Sequence, residues 1–201
     1  MKNGLIYPVI DFILNCLKYL NLVEGVKWLF CKFINDPDKA NRIGTDTFIL
    51  LKWALVIFLW EYEVKSSIIN VLLFYLIATN LYTYFYHHIW KEDKGTEQKT
   101  KDEIFQRRKR RFIHLLQAVG FNILTFAYLI AMPFSSNFEW EKGYSTFEDS
   151  IFFSLSQTLT IDYCPVESIN RCASQLITIE TFVSFIFLTI VLSTSVPEKE
   201  L

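Results

Sequence analysis

Three groups of residues in this chain could do chemistry. The first is the polar corner Thr160-Ile161-Asp162-Tyr163-Cys164, which closes a short apolar run beginning at Asp149. A carboxylate set among hydroxyl and carbonyl oxygens attracts cations, and several copies facing one axis would form a charged ring. The second is the unbroken basic block Arg107-Arg108-Lys109-Arg110-Arg111, preceded by Lys99 and Lys101. Such a block can hold phosphate oxygens, whether of an anionic lipid, a nucleotide or a single-stranded nucleic acid. The third is His87, His88 and His114, which stand without a Cys or an acid at ligand spacing and read as interfacial histidines. Cys16, Cys31, Cys164 and Cys172 lack C-x-x-C spacing, which speaks against a zinc or redox motif. Cys164 and Cys172 could pair if they face an oxidising compartment. No nucleophile beside a base, no phosphate-binding glycine loop and no metal constellation occurs, so the sequence predicts a non-enzyme that needs no cofactor and no resident metal.

The elements that must position these groups are membrane helices. Of 201 residues, 52% are hydrophobic and 17% aromatic, and they are gathered in long blocks. That pattern suits lipid-facing helices with aromatic belts. Four spans are predicted, at about 46–62, 67–88, 112–134 and 173–196. Lys52 is placed to snorkel toward the start of the first, which Thr45 or Asp46 can cap. Between the third and fourth lies the run from Asp149, too short to cross a bilayer. A short helix, a polar turn and a full span form the layout of a re-entrant loop, because irregular backbone at membrane depth needs protein or a water-filled cavity around it. Residues 5–34 are apolar but punctuated by Asp11, Asn15 and Lys18 on one helical stripe, as in helices lying in the interface. The expected fold class is therefore an all-α membrane protein. Its parts are an N-terminal cytoplasmic and interfacial segment (1–45), a two-helix transmembrane hairpin (46–88), a basic cytoplasmic connector (89–111) and a pore module (112–196).

Charge sets the predicted orientation. Residues 87–111 hold nine Lys or Arg against five acids, which marks the connector as cytoplasmic. Four spans then put both termini in the cytoplasm, in a cell membrane (the inner one in a bacterium). Residues 134–171 face outward, with six acids against Lys142 and Arg171.

Asp149-Ser-Ile-Phe-Phe-Ser154 and Thr160-Ile-Asp-Tyr-Cys164 resemble the pore helix and filter of the potassium-channel-like pore module. In bacterial members that run reads D-A-L-Y-F-S, then T-V-G-Y-G. Asp149, Phe153, Ser154, Thr160 and Tyr163 keep its register. In the fourth span Glu180 and Ser184 stand at the family's acid and hinge-glycine positions. Asp162 and Cys164 replace the filter glycines, whose dihedrals other residues adopt at a cost. Gln157-Thr-Leu-Thr-Ile-Asp162 is similar instead to Q-x-M-T-L-[ED] of sodium and calcium channel filters, where carboxylates face the ion. The resemblance implies a homotetramer passing cations through a filter of residues 160–164. It further implies a cavity lined, and gated by dewetting, at Phe185, Leu188 and Leu192, with Ser184 as hinge.

Each reading has an alternative. Asp162 could be an N-cap or turn residue of an outer loop; Phe185, Leu188 and Leu192 could simply pack on the third span; Glu180 reads as a buried partner of the pore-loop backbone. The basic block is contiguous, not spaced every third residue within a span, so it is no voltage sensor. It can set topology and touch anionic lipid, or form a ring that binds a nucleotide or oligonucleotide. In outline that second use resembles channel effectors of bacterial phage-defence systems. A non-conducting membrane scaffold or regulatory subunit is the competing class.

Overall fold

The computed structural model describes residues 6–86, 90, 101–163 and 165–195, with the backbone alone for residues 101–105, 107, 108 and 192–195. The chain is mostly helical. Four helices are long and apolar enough to cross a membrane: α3 (Pro37–Glu61), α4 (Ser67–Phe85), α5 (Lys101–Ala131) and α7 (Arg171–Ser195). These make it a multi-pass membrane protein. Two compact units divide the chain, Met1–Ile57 and Phe58–Leu201.

In the first unit, α1 (Ile6–Tyr19) and α2 (Leu22–Cys31) meet at a bend of 54°, and together they too are apolar enough to span. The break sits where Asn21 Oδ1 accepts from Val23 N–H at 3.1 Å and starts a new helix. Gly44 lies so close to α2 that a Cβ there would come within 3.1 Å of Lys27 Cα. Helix α3 begins well ahead of the expected residue 46. Asp36 Oδ1 accepts from the N–H groups of Asp38 (2.9 Å) and Lys39 (3.2 Å), and Pro37 takes the first helical position, where its missing N–H costs nothing. Thr45, expected as a cap, instead bonds Asn41 O from inside the helix at 2.8 Å. Lys52, expected to reach for the interface, is only 5% exposed.

In the second unit, polar side chains stitch the helices together, as is needed where no water can satisfy them. Asn80 Nδ2 on α4 donates to Ala118 O and to Asn122 Oδ1 on α5, both at 3.2 Å. Tyr84 Oη donates to His114 O at 2.7 Å. Trp60, in the last turn of α3, donates to Leu124 O at 3.3 Å and packs edge-on against Tyr128 and Phe147. Helix α5 starts at Lys101, ahead of the expected residue 112, so the basic block of the connector is already helical. At 100° per residue these five positions go all the way round the helix axis.

Past α5 the chain makes a 3-10 turn (Ser135–Asn137), strand β1 (Phe138–Trp140), helix α6 (Thr146–Thr158), strand β2 (Val166–Ser168) and then α7. The strands pair antiparallel, with Glu139 opposite Glu167. This small sheet was not expected from the sequence.

Candidate functional site

Helix α6 is the core of the site, and its local chemistry explains its limits. Ser145 caps its start, accepting from Glu148 N–H at 3.4 Å, while Asp149 Oδ2 accepts from Ser145 N–H at 2.5 Å. Two acids, Glu148 and Asp149, also sit in the first turn, where the helix dipole favours them. The buried face carries Ser150, Phe153, Ser154 and Thr158, mostly small residues that let α6 approach α5 and α7 closely. Phe153 meets Phe138 of β1 edge-on at 6.3 Å.

The end of α6 is a Schellman turn. Ile161 N–H donates to Ser156 O at 2.8 Å and Thr160 N–H to Gln157 O at 3.2 Å. That motif needs a left-handed residue, usually Gly, and here it is Thr160 at φ 56°. A β-branched residue in that region is strained. The same motif closes α3, with Glu63 left-handed at φ 46°.

The chain then turns back. Glu141 N–H donates to Pro165 O at 3.0 Å and Ile169 N–H to Asn137 O at 3.0 Å, on either side of the β1–β2 ladder. Residues 141 and 165 thus meet, and everything between them is an excursion that returns to its starting point. On the returning stretch Tyr163 Oη donates to Asp149 Oδ1 at 2.8 Å, reaching the first turn of α6. Desolvation of the half-buried ring, the bond to Asp149 and the charge of that carboxylate push the Tyr163 hydroxyl up to about 12. Ile161 and Asp162 are exposed, as is Thr160, whose hydroxyl bonds only the neighbouring Leu159 O at 2.7 Å. The nearby helix starts are capped by other residues: Ser145 for α6, and Asn170, accepting from Ala173 N–H at 3.1 Å, for α7. Cys164 lies outside the described residues.

A polar seam joins α6 to α7. Ser154 Oγ lies 2.9 Å from Ile123 O on α5 and also bonds Glu180 Oε1 on α7. Thr158 and Ser184 share a hydroxyl bond at 3.1 Å, and Thr181 donates to Gln157 Oε1 at 3.4 Å. Glu180 is fully buried, and its partner is the Ser154 side chain of α6, not backbone. Ser184, expected as a hinge, is buried within an unbroken α7. Phe185 is 63% exposed, whereas Leu188 is half-buried, so the two do not share one surroundings. Of Leu192 only the backbone is described.

Of the basic residues, Lys109 is exposed and Arg110 and Arg111 are half-buried. Lys101, Arg107 and Arg108 are described as helical backbone only, and Lys99, His87 and His88 lie outside the described residues. Among the described residues no group of His, Cys, Asp and Glu could hold a metal ion. Asp149, Ser154 and Thr158 are the site residues whose contacts the sequence did not foretell; the pattern Ser145-x-x-Glu148 was the one signal available for the start of α6.

No family model matches the chain, and no similar protein is found among curated proteins or solved structures.

Proposed function

We propose that this protein is a cation-conducting membrane channel, assembled from four copies, in which residues 145–165 form a re-entrant pore loop and Asp162 contributes to a ring of carboxylates. One observation carries the reading. The excursion from residue 141 to 165 leaves and returns at one place, while its helix packs between two helices long enough to span a membrane. A polar turn at the far end of such an excursion needs a water-filled path beside it. The exposed Ile161 and Asp162 supply what such a path would be lined with. Four carboxylates would concentrate cations and exclude anions, with no chemistry on a substrate and no cofactor.

Both termini and the basic start of α5 then face the cytoplasm. The bent pair α1–α2 lies along the interface, with Asp11, Asn15 and Lys18 toward water. Anionic phosphate groups on the α5 cations would regulate opening, whether they belong to lipid or to a nucleotide.

Flux of sodium and potassium into proteoliposomes tests the reading. Wild-type protein should pass cations, and Asp162→Asn should change the preference among them. No cation flux with or without anionic lipid favours the non-conducting scaffold instead, and an unchanged preference removes the carboxylate ring.

A further inference from the structure

Ser154 has one hydroxyl proton and two oxygens to give it to. Its Oγ lies 2.9 Å from Ile123 O on α5 and also bonds Glu180 Oε1 on α7. Ile123 O is a backbone carbonyl and only accepts, so the two contacts in this row of three oxygens need two protons. The serine supplies one. The second can come only from the carboxyl of Glu180. The other carboxyl oxygen leads to the same state. Glu180 is 0% exposed, and its Oε2 meets no hydrogen-bond donor among the described residues. A neutral carbonyl oxygen can be left so at modest cost, whereas a charged one needs a cation or several donors. No cation is at hand on the helices packed against α7. Helices α4 and α6 contain no Lys, Arg or His. On α5 the last base is His114, nine residues or about 14 Å short of Ile123 along the helix, and the one base of α7 is Arg171, as far from Glu180.

We propose that Glu180 is a proton-binding site, and that the bound proton completes a chain tying α7, α6 and α5 together. The order of donation is fixed: Glu180 Oε1–H donates to Ser154 Oγ, and Ser154 Oγ–H donates to Ile123 O. Release of the proton leaves two acceptors competing for the serine hydroxyl, one of them charged and buried. The serine then turns to the charge, and α6 loses its bond to α5. The proton leaves along the same seam: Thr158 and Ser184, each four residues further on, share a hydroxyl bond at 3.1 Å and lie toward the exposed end of α6. Glu180 is the only buried carboxyl among the described residues. The other titratable groups of the elements packed on α7 have places of their own. On α4, Tyr84 bonds His114 O, Tyr82 stacks on Tyr86 and Tyr75 is half-buried. On α5, Tyr128 bonds Val64 O; on α6, Glu148 and Asp149 stand in the first turn. Glu167 of β2 lies opposite Glu139, and Cys172 of α7 is exposed. The functional half rests on the channel reading: the seating of the loop helix, and with it conduction, follows occupancy of the site by the proton.

Infrared spectroscopy of the full chain in detergent reads the site directly. The difference between wild type and Glu180→Gln at neutral pH should show the carbonyl band of a protonated carboxyl, and raising the pH should abolish it. Carbon-13 labelling of the glutamates in otherwise unaltered protein reads the same band, should the variant fail to fold. Ser154→Ala should keep the band but move it, because the carboxyl proton has lost its acceptor. In proteoliposomes, cation flux through the wild type should fall on the order of tenfold across the pH range in which the band disappears, the effect of withdrawing one buried hydrogen bond. Flux through Glu180→Gln, which has no such proton to lose, should show no step there. A missing band at neutral pH, in the difference and the labelled spectra alike, overturns the proton site. A band that Ser154→Ala leaves unmoved overturns the chain through the serine. A band that persists at every pH at which the protein stays folded overturns the role in conduction, and so does a flux step that survives in Glu180→Gln. Absence of flux in the wild type at every pH defeats the channel reading, and the band then still decides whether Glu180 holds a proton.

Discussion

Thr160→Gly should make the protein more stable and a poorer channel, and the first half of that statement can be worked from the backbone. Thr160 occupies the left-handed position of the turn that ends α6, at φ 56°. An L-residue there carries about 1–2 kcal/mol of steric cost, and a branched Cβ places Thr at the upper end. Glycine removes that cost but brings a more flexible unfolded chain, which takes back about 0.5–1 kcal/mol. The Thr160 hydroxyl bonds only the adjacent Leu159 O in an exposed setting, so water replaces it at little loss. The net gain is about 1–1.5 kcal/mol, or roughly 2–6 °C in melting temperature for a chain of this size. Thermal unfolding in detergent, followed by tryptophan fluorescence, reads this directly. Thr160→Val is the control, because it keeps the branch, loses the hydroxyl and should gain nothing. Flux through the two variants then isolates the hydroxyl: both should conduct less than wild type if it faces the ion path. A glycine variant that melts at or below wild type refutes the strain argument. Equal melting of the glycine and valine variants does so too.

Three further outcomes follow from contacts in the same region. Ser154→Ala removes the hydroxyl that meets buried Glu180, and should cost about 1–3 kcal/mol, seen as a melting point lower by roughly 3–10 °C. Ser150→Ala, whose hydroxyl bonds Phe147 O in its own helix, should change little by the same measure. Glu167→Lys turns the directly opposed pair Glu139–Glu167 into an attractive one, and should raise stability by about 0.2–1 kcal/mol, more so at low salt. The Tyr163 hydroxyl is pushed up to about 12 from an ordinary value near 10, so its contribution is complete below about pH 10 and is lost as pH rises through 12. Tyrosinate absorbance of wild type minus Tyr163→Phe should therefore rise near pH 12, and a rise near pH 10 contradicts the contact with Asp149.

The four long helices were legible because uninterrupted apolar runs of their length have few other uses. Their starts were less so. The first span was expected from about residue 46, although Asp36 before Pro37 is the signature of a helix beginning, and the structure uses it as one. The basic connector was read from its charge and polarity, which cannot distinguish a loop from a solvated helix, and Lys101 to Arg111 is helical. The paired strands of three residues each were invisible, since alternation over so short a stretch carries no signal and the pairing joins residues 138 and 168. In the loop, attention to the missing glycines pointed to Asp162 and Cys164 as the positions of conflict. Among the described residues of the loop the left-handed one is Thr160, because the turn that ends α6 sets that demand, and a turn of this kind is fixed by where the helix stops.

Helix α5 is a single run of 31 residues, about 46 Å at 1.5 Å per residue. An apolar stretch of 23 of them, Lys109–Ala131, is long enough to cross a membrane, and the cationic end lies at its start. Near the middle of the apolar part, Ile123 O rests against Ser154 of α6. On the channel reading proposed above, a displacement of the cationic end would pass along one unbroken helix to the carbonyl that meets Ser154. Phosphate groups held at the cationic end, as proposed, would act on α6 through that one contact, with no hinge required in α7.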